Sequence, residues 1–217
     1  MVMTNNVRAL LSGAPVVPLV QADDPDVAVG LSRALLDGGI QVLEVVLRTD
    51  KAFDCLHAIV TAFPDVAVGA GTVLSAEHAS KAIDVGAKFI VSPGLHETVV
   101  RTAQDSGLPI FPGIATASEL QKAWNMGLRA VKFFPASLSG GPDMLRALSS
   151  VFRDVVFMPT GGVNETNMIS YLTIPSVIAC GGSWLTPKAA IRSRDFKAIE
   201  QLARKAIYIA NAQQRKV

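Results

Sequence analysis

Histidine and cysteine are scarce in this chain, which has three histidines and two cysteines. His57, His78 and His96 fall in segments that we predict to be helices or helix starts, without HxH, HExxH or carboxylate companions at ligand spacing. Cys55 and Cys180 lie far apart and form no CxxC motif, so we expect two reduced cysteines packed in the core. These absences disfavour a metal site.

Charge is sparse as well, since 18% of the residues are Asp, Glu, Lys or Arg and the formal net charge is +2. The basic side chains are scattered rather than gathered into a stripe, so nucleic acid is not an expected partner. No apolar run approaches membrane-spanning length, and the start, MVMTNNVRALLSGAPVV, lacks the pattern of a secretory signal. We therefore expect no membrane association and a cytoplasmic location.

Hydrophobic residues make up half of the chain, which supplies a large core and argues against a disordered protein. The length of 217 residues fits one α/β barrel, whereas two domains would leave each half too short for that architecture. We predict a single domain over residues 1–217.

Glycine repeatedly ends a helix-like run and is followed at once by an apolar strand. Gly86, Gly107 and Gly127 recur about every twenty residues, the period of a short βα unit. Helix starts agree, because Asp24 precedes a proline suited to the first helical position and Thr116 begins a sequence with capping-box spacing. The chain is therefore predicted to alternate strands and helices.

Eight apolar segments have the nearly continuous hydrophobicity of parallel strands covered on both faces. A doubly wound open sheet would show the same local pattern, but the count of eight favours a closed (β/α)8 TIM barrel. The VRALL segment before residue 13 adds a short N-terminal helix with an apolar face. The predicted strands are 15–20, 41–47, 66–71, 88–92, 108–112, 129–134, 155–159 and 177–181.

The conspicuous polar and glycine-rich groups all follow or end these strands, where the chemistry of such barrels lies. The opposite rim has nothing comparable. The groups are Glu44, Arg48, GAGT at 69–72, SPG at 92–94, PGI at 112–114, Lys132, TGG at 160–162 and GGS at 181–183.

Lys132 lies within the apolar strand that ends in VKFFPA. Burial removes water from an ammonium group and favours the neutral amine, which can attack a ketone. The structural alternative is a lysine whose head extends from the strand end into water. Its position beside a glycine-rich site favours the nucleophile.

Glu44, in VLEVVLRT, is a candidate general acid/base, since a carboxylate among Val and Leu is costly unless it is partnered or protonated. The alternative is a structural ion pair with Arg48. If Arg48 instead binds a substrate carboxylate, it orients a keto acid beside Lys132. Thr72 could add a hydroxyl donor to the same carboxylate.

Two glycine pairs follow the last two strands, where phosphate-binding barrels hold phosphate with backbone N–H groups. They belong to the TGG and GGS segments, and Ser183 would add a hydroxyl contact. SPG and PGI are ambiguous because proline and glycine after a strand can simply shape turns, and we assign only a lining role to Pro93.

Seven motifs in a fixed order, VLEVVLRT, VGAGTV, SPGL, PGIAT, VKFFPA, PTGGV and GGSWL, resemble the 2-keto-3-deoxy-6-phosphogluconate (KDPG) and 4-hydroxy-2-oxoglutarate (KHG) aldolases. The resemblance extends from Pro15 to Leu185. It implies a class I, Schiff-base aldolase that needs no metal or organic cofactor and assembles as a homotrimer. It further implies cleavage of KDPG to pyruvate and glyceraldehyde 3-phosphate, with KHG, cleaved to pyruvate and glyoxylate, as a second candidate substrate.

Position by position, the resemblance implies that Lys132 forms the Schiff base and that Glu44 is the general acid/base. It also implies that Arg48 and Thr72 bind the keto-acid end of the substrate. Pro93 and Phe134 would line the pocket. The far end of the substrate and its phosphate would be bound by Thr160, Gly161, Gly162, Gly181, Gly182 and Ser183.

Two positions depart from the family pattern, Val46 where threonine is frequent and Ser137 where an acidic residue is expected. Substrate preference therefore stays open among KDPG, its phosphogalactonate epimer and unphosphorylated KHG. A metal-dependent sugar-phosphate epimerase would need histidines and carboxylates at several strand ends, which this sequence does not place as a set. A second rival is a non-catalytic barrel that binds a phosphorylated metabolite, and the presence of Lys132 and Glu44 weighs against it.

Overall fold

A computed structural model describes residues 7–214 of the chain. Within them, short parallel strands alternate with helices along almost the whole sequence. The strands are β1 (Val16–Val20), β2 (Val42–Val46), β3 (Ala67–Gly71), β4 (Ile90–Val91), β5 (Ile110–Phe111), β6 (Gly113–Ile114), β7 (Ala130–Phe133), β8 (Val156–Pro159) and β9 (Cys180–Gly182).

Helices follow most of these strands, and a 3-10 turn at Ser183–Leu185 follows β9. No helix in the described part is both long enough and apolar enough to cross a membrane. The helices are α1 (Pro25–Asp37), α2 (Ala52–Ala62), α3 (Ala76–Asp84), α4 (Glu97–Asp105), α5 (Ala117–Asn125), α6 (Gly141–Val151), α7 (Met168–Leu172), α8 (Lys188–Arg192) and α9 (Phe196–Gln214).

The strands form two parallel sheets, one of six strands in the order β5-β4-β3-β2-β1-β9 and one of three in the order β6-β7-β8. Each of the eight predicted strands overlaps an observed one. The prediction of an α/β fold is therefore confirmed. The larger of the two sheets has six parallel strands.

The largest difference from the prediction is at residues 108–112, which were predicted to form one strand. The structure has two short strands there, β5 and β6, on either side of Pro112. β5 pairs with β4, whereas β6 pairs with β7. Proline has no N–H to donate to a ladder, but its carbonyl oxygen still accepts a hydrogen bond from the backbone N of Lys132 at 2.9 Å. The break therefore lies next to the strand that carries the candidate nucleophile.

The segment before β9 also contacts β8. Phe157 N donates to Ser176 O at 2.8 Å, and Ile178 N donates back to Phe157 O at 3.1 Å. These bonds are of the parallel type, with Phe157 opposite Val177. They connect the three-stranded sheet to the chain that enters the six-stranded one.

The predicted N-terminal helix is present, since residues 7–10 are helical; residues 1–6 of that stretch lie outside the described residues. Val7 and Leu11 are buried in an apolar cluster with Val17, Phe89 and Phe111, whose two phenylalanine rings pack edge to face at 6.1 Å. Further members come from the starts of strands, among them Val42, Ala130 and Val156. The helix thus covers the amino ends of the strands, away from the predicted site.

Two predicted helix starts are confirmed in detail. Asp24 Oδ1 accepts hydrogen bonds from Asp26 N at 2.8 Å and Val27 N at 3.1 Å. At the start of α5, Thr116 Oγ1 accepts from Glu119 N at 3.3 Å, while Glu119 Oε2 accepts from Thr116 N at 2.9 Å. Each cap satisfies backbone donors that the helix itself leaves unpaired.

Replacing Thr116 by alanine should lower the free energy of unfolding by about 1 kcal/mol, because one N-terminal donor of α5 loses its acceptor. Urea unfolding at a fixed protein concentration measures the difference. Thr61→Ala is the matched control: Thr61 is exposed inside α2, where alanine is the better helix former. Equal losses for both variants would contradict the capping assignment.

The second half of this capping box is sensitive to acid. The backbone N–H of Ala115, with further donation from Thr116, holds the pKa of the Glu119 carboxyl below its ordinary value of 4.5. The contribution of Glu119 to stability is therefore fully present above that value and is lost as the pH falls through the lowered pKa of the folded state.

Candidate active site

Lys132 and Glu44 meet although 88 residues separate them in sequence. Lys132 Nζ lies 3.3 Å from Glu44 Oε1, and only 4% of the lysine side chain and none of the glutamate side chain is exposed. Since the lysine head is buried, the alternative of a water-exposed strand lysine is wrong. The alternative Glu44–Arg48 ion pair is also wrong, because the glutamate pairs with Lys132.

The other oxygen of the carboxylate, Glu44 Oε2, is buried and has no hydrogen-bond partner among the described residues. Leaving a buried charged oxygen unsatisfied costs about 1–3 kcal/mol or more. A substrate hydroxyl or a water molecule placed beside it would remove that cost. The site therefore presents an amine and a free proton acceptor side by side.

Gly71 at the end of β3 makes room for this carboxylate. A Cβ atom at position 71 would overlap Glu44 Oε1 and would lie 2.6 Å from Glu44 Cγ. Gly71 belongs to the GAGT segment, but this close approach to Glu44 was not predicted from the sequence. Its spacing within a buried strand was a signal, since glycine inside a strand marks a close approach of another group.

Gly71→Ala should lower kcat by about 10- to 100-fold, because the methyl group forces the Glu44 carboxylate away from Lys132 and a shift of about 1 Å can cost about 100-fold. Steady-state kinetics on the folded variant measures this effect. Gly94→Ala is the matched control, because a Cβ atom at Gly94 meets nothing within 4 Å. A folded Gly71→Ala variant with the kcat of the unmodified chain would contradict this role.

Arg48 and Thr72 are brought together as the sequence predicted. Arg48 Nε donates to Thr72 Oγ1 at 2.9 Å, and Arg48 makes no ion pair within residues 7–214. Thr72 has a φ of 58°, which is unfavourable for a β-branched residue. Residues with such strained backbone conformations are often found at functional sites. The remaining guanidinium N–H groups can bind a carboxylate in two-pronged fashion.

Phe134 and Pro93 both lie close to the buried lysine. The Phe134 ring centroid is 5.5 Å from Lys132 Nζ. The Pro93 carbonyl packs against Gly113 so closely that a Cβ there would overlap it, and Gly113 is paired with Lys132 in the sheet. Phe134 therefore lies beside Lys132, and Pro93 lies against the strand that pairs with the strand of Lys132.

The loop of Thr160, Gly161 and Gly162 packs against the chain that follows Lys132. Ala136 N donates to Thr160 O at 2.8 Å, and Ser137 N donates to Gly161 O at 3.0 Å. Gly161 and Gly162 have φ values of 93° and 78°, which glycine adopts without strain. Thr160, Gly161 and Gly162 are three of the residues predicted to bind the far end of the substrate.

The last strand completes the glycine-rich region. The side chain of buried Thr160 fills the space beside Gly181, where a Cβ would lie 2.8 Å from Thr160 Cγ2. Gly182 ends β9, and Ser183, which is exposed, begins the 3-10 turn. The structure therefore brings all six far-end candidates to the carboxyl ends of β8 and β9.

The two departures from the family pattern lie in the same region. Val46 is buried at the end of β2 and lines a cavity of about 850 Å³ together with Arg48 and Ser183. Ser137 is exposed, and its hydroxyl fills the space that a Cβ on Gly162 would need. Lys132 and Glu44 are not among the residues lining this cavity, although Glu44 lies on the same strand as Val46.

Within residues 7–214, no group of three or more His, Cys, Asp or Glu side chains could hold a metal ion. Both cysteines are buried and unpaired. Burial, with the nearby charges of Asp23, Asp54 and Asp24, raises the pKa of Cys55 to about 11, and burial also raises the pKa of Cys180. Neither thiol is a nucleophile at neutral pH.

Comparison with known proteins gives the same assignment as the motifs. The family model described as KDPG and KHG aldolase matches residues 7–202. The KHG/KDPG aldolase of Escherichia coli strain K12 is 42% identical over 200 residues, covering 92% of this chain and 94% of that protein.

Solved structures agree with the sequence comparison. A crystal structure of KDPG aldolase from Legionella pneumophila, with pyruvate captured as a covalent carbinolamine, has a TM-score of 0.89 and 40% identity, and the match covers 92% of this chain and 97% of that one. A designed cube-shaped cage made by fusing symmetric oligomeric domains has a TM-score of 0.82 and 29% identity, over 94% of this chain and 75% of that one. With its buried lysine and glutamate in place, the chain belongs to the KDPG and KHG aldolase family.

Proposed function

We propose that this protein is a class I aldolase that cleaves KDPG to pyruvate and glyceraldehyde 3-phosphate. The observation that carries the proposal is the buried Lys132–Glu44 pair, whose atoms are 3.3 Å apart and whose second carboxylate oxygen has no partner among residues 7–214. An amine nucleophile needs a nearby group that can carry protons. The pyruvate carbinolamine in the Legionella relative supports the same covalent chemistry.

The reaction begins when Lys132 passes a proton to Glu44 and its neutral Nζ attacks the C2 ketone to form a carbinolamine. Glu44 returns that proton to the carbinolamine hydroxyl, which leaves as water and gives an iminium. Glu44 then removes the proton from the C4 hydroxyl, and the electrons of the C3–C4 bond move into the iminium. The bond breaks, glyceraldehyde 3-phosphate leaves, and an enamine of pyruvate remains on the lysine. Glu44 returns its proton to C3, and water hydrolyses the resulting iminium to free pyruvate and Lys132.

The two ends of the substrate would be held by different groups. Arg48, fixed by its hydrogen bond to Thr72, binds the carboxylate next to the reacting ketone, and Pro93 and Phe134 line the pocket. The phosphate is bound by backbone N–H groups of the glycine-rich segments and by Ser183. The mechanism uses no metal and no organic cofactor.

Substrate preference is tested by adding KDPG, its phosphogalactonate epimer and KHG separately and measuring pyruvate release. We expect the highest kcat/KM with KDPG and a lower value with KHG, which yields pyruvate and glyoxylate. Faster turnover of the epimer would reassign the substrate while leaving the mechanism in place. Binding of KDPG without pyruvate release would favour the non-catalytic barrel.

We further propose that the whole chain, residues 1–217, forms a single closed (β/α)8 barrel. Two observations support this closure: β5 and β6 continue one another across Pro112, and β8 exchanges backbone hydrogen bonds with residues 176–178 ahead of β9. Residues 1–6 and 215–217 of the proposed domain lie outside the described residues.

A homotrimer in the cytoplasm is the proposed state of the protein. Large apolar side chains are exposed on the isolated chain, among them Leu138 at 86%, Leu74 at 56% and Tyr208 at 75%. Burial of such side chains between subunits would help to stabilise an assembly. Light scattering should give three times the chain mass of 22.9 kDa, and a monomer would contradict the proposal.

A further inference from the structure

The cavity of about 850 Å³ extends well beyond Arg48 and Ser183. It reaches from the loop after β1 to helix α8, and its wall includes Asp23, Lys188 and Arg192. The cavity is also lined by Arg48 and Ser183, which we propose as ligands for the two anionic ends of the substrate. A substrate bound by these two residues would therefore interact with the other charges of the cavity wall.

The charges of the wall are unbalanced. Arg194 lies 3.8 Å from Asp24, whose other oxygen caps α1, so these two charges largely cancel. Among the ion pairs of residues 7–214, none involves Lys188, Arg192 or Asp23. With Arg48, three free cations therefore face one free carboxylate.

Lys188 and Arg192 are held at the cavity by local structure. Thr186 is buried and its Oγ1 donates to Leu19 O at 2.8 Å, which ties the segment before α8 to the end of β1. Arg192 lies one turn after Lys188 on the same helix face, and its Nε approaches Lys188 O at 3.4 Å. The two cations therefore stay together on one side of the opening.

We propose that Lys188 and Arg192 form a cationic rim that selects substrates whose far end carries a phosphate or a second carboxylate. This inference rests on the proposed function, since it concerns the substrate of that same site. Both side chains are exposed, so they attract an anion through solvent rather than through a dry, fixed contact. The rim should therefore act on KM and on its salt dependence, and it should leave kcat unchanged.

The test is the double variant Lys188→Gln/Arg192→Gln, assayed with KDPG and with the same keto acid lacking its phosphate. At low ionic strength we expect KM for KDPG to rise by about 3- to 10-fold, and the difference should shrink at about 0.5 M salt, where the Debye length is only a few ångströms. KM for the unphosphorylated acid should change much less. The kcat values should stay those of the unmodified enzyme.

The control double variant Arg8→Gln/Arg153→Gln removes the same charge from two exposed positions, of which Arg8 lies in the helix over the amino ends of the strands. It should leave both KM values unchanged. The proposed role of the rim would be contradicted by an equal change of KM with the two substrates. An equally large change of KM in the control variant, or no change of KM at low ionic strength, would also contradict it.

A binding measurement keeps this inference separate from the proposed catalysis. Calorimetric titration with inorganic phosphate should show weaker binding to the Lys188→Gln/Arg192→Gln variant than to the control variant, whether or not the protein turns over KDPG. Equal phosphate affinities of the two variants would contradict the anion-binding role of the rim. If no substrate were turned over, only the proposed aldolase activity would be contradicted.

Discussion

Replacing Lys132 by alanine is expected to abolish both turnover and covalent capture of pyruvate. Borohydride reduces an iminium to a stable secondary amine, so intact-mass measurement of the unmodified enzyme with pyruvate should show a pyruvyl-sized adduct. The variant should show none, and kcat should fall by at least about 10⁴-fold, as expected for loss of a covalent nucleophile.

Removal of Lys132 also leaves Glu44 buried beside an empty space, and breaking a buried ion pair can destabilise a protein by about 3–5 kcal/mol. Lys132→Arg is therefore made in parallel, because its guanidinium retains the charge but cannot form the Schiff base. Lys88→Ala, at an exposed lysine, is the control and should trap pyruvate normally. A folded Lys132→Arg protein that still traps pyruvate would move the nucleophile to another residue.

Glu44→Gln is expected to lower kcat by about 10²- to 10⁴-fold, the range for loss of a general acid/base. Glutamine preserves the volume beside Lys132 and Gly71 but cannot carry the proton from the C4 hydroxyl. The lysine remains, so borohydride should still trap pyruvate on the variant. This combination, slow turnover with retained trapping, separates proton transfer from nucleophilic attack.

Hydrogen exchange at the methyl group of pyruvate gives a second readout of Glu44. The enamine must be protonated at that carbon, so exchange in heavy water should slow in Glu44→Gln in proportion to turnover. Glu77→Gln, at an exposed glutamate at the start of α3, should behave like the unmodified enzyme. Fast exchange in the Glu44 variant would assign the proton transfer to another group.

The positions of the strands were largely readable from the sequence, because glycine stops or cap residues mark the starts or ends of several helices. Gly86, Gly107 and Gly127 indeed have positive φ values of 103°, 70° and 81°. The break at Pro112 was not predicted, since a proline in an apolar run can lie at a strand edge or inside a turn. Only the pairing partners on either side reveal that the strand changes neighbours there.

The candidate residues were readable too, but their contacts were not. An arginine four residues after Glu44 was a plausible partner, yet the pair across 88 residues is the one that forms. Such contacts depend on how strands from distant parts of the chain face one another. The space left by Gly71, and the charges of Lys188 and Arg192 around the cavity, likewise depend on packing that one-dimensional patterns do not record.

The helix at residues 7–10 covers one end of the strands, and the candidate ligands lie at the other end. Val7 and Leu11 belong to the apolar cluster at the strand starts, while Arg48, Ser183 and the cavity lie at the opposite end. A catalyst attached to a support through the helix-covered face would therefore keep its opening towards the surrounding solution. Substitutions in the loops at the open end would likewise leave the buried residues under the helix unchanged.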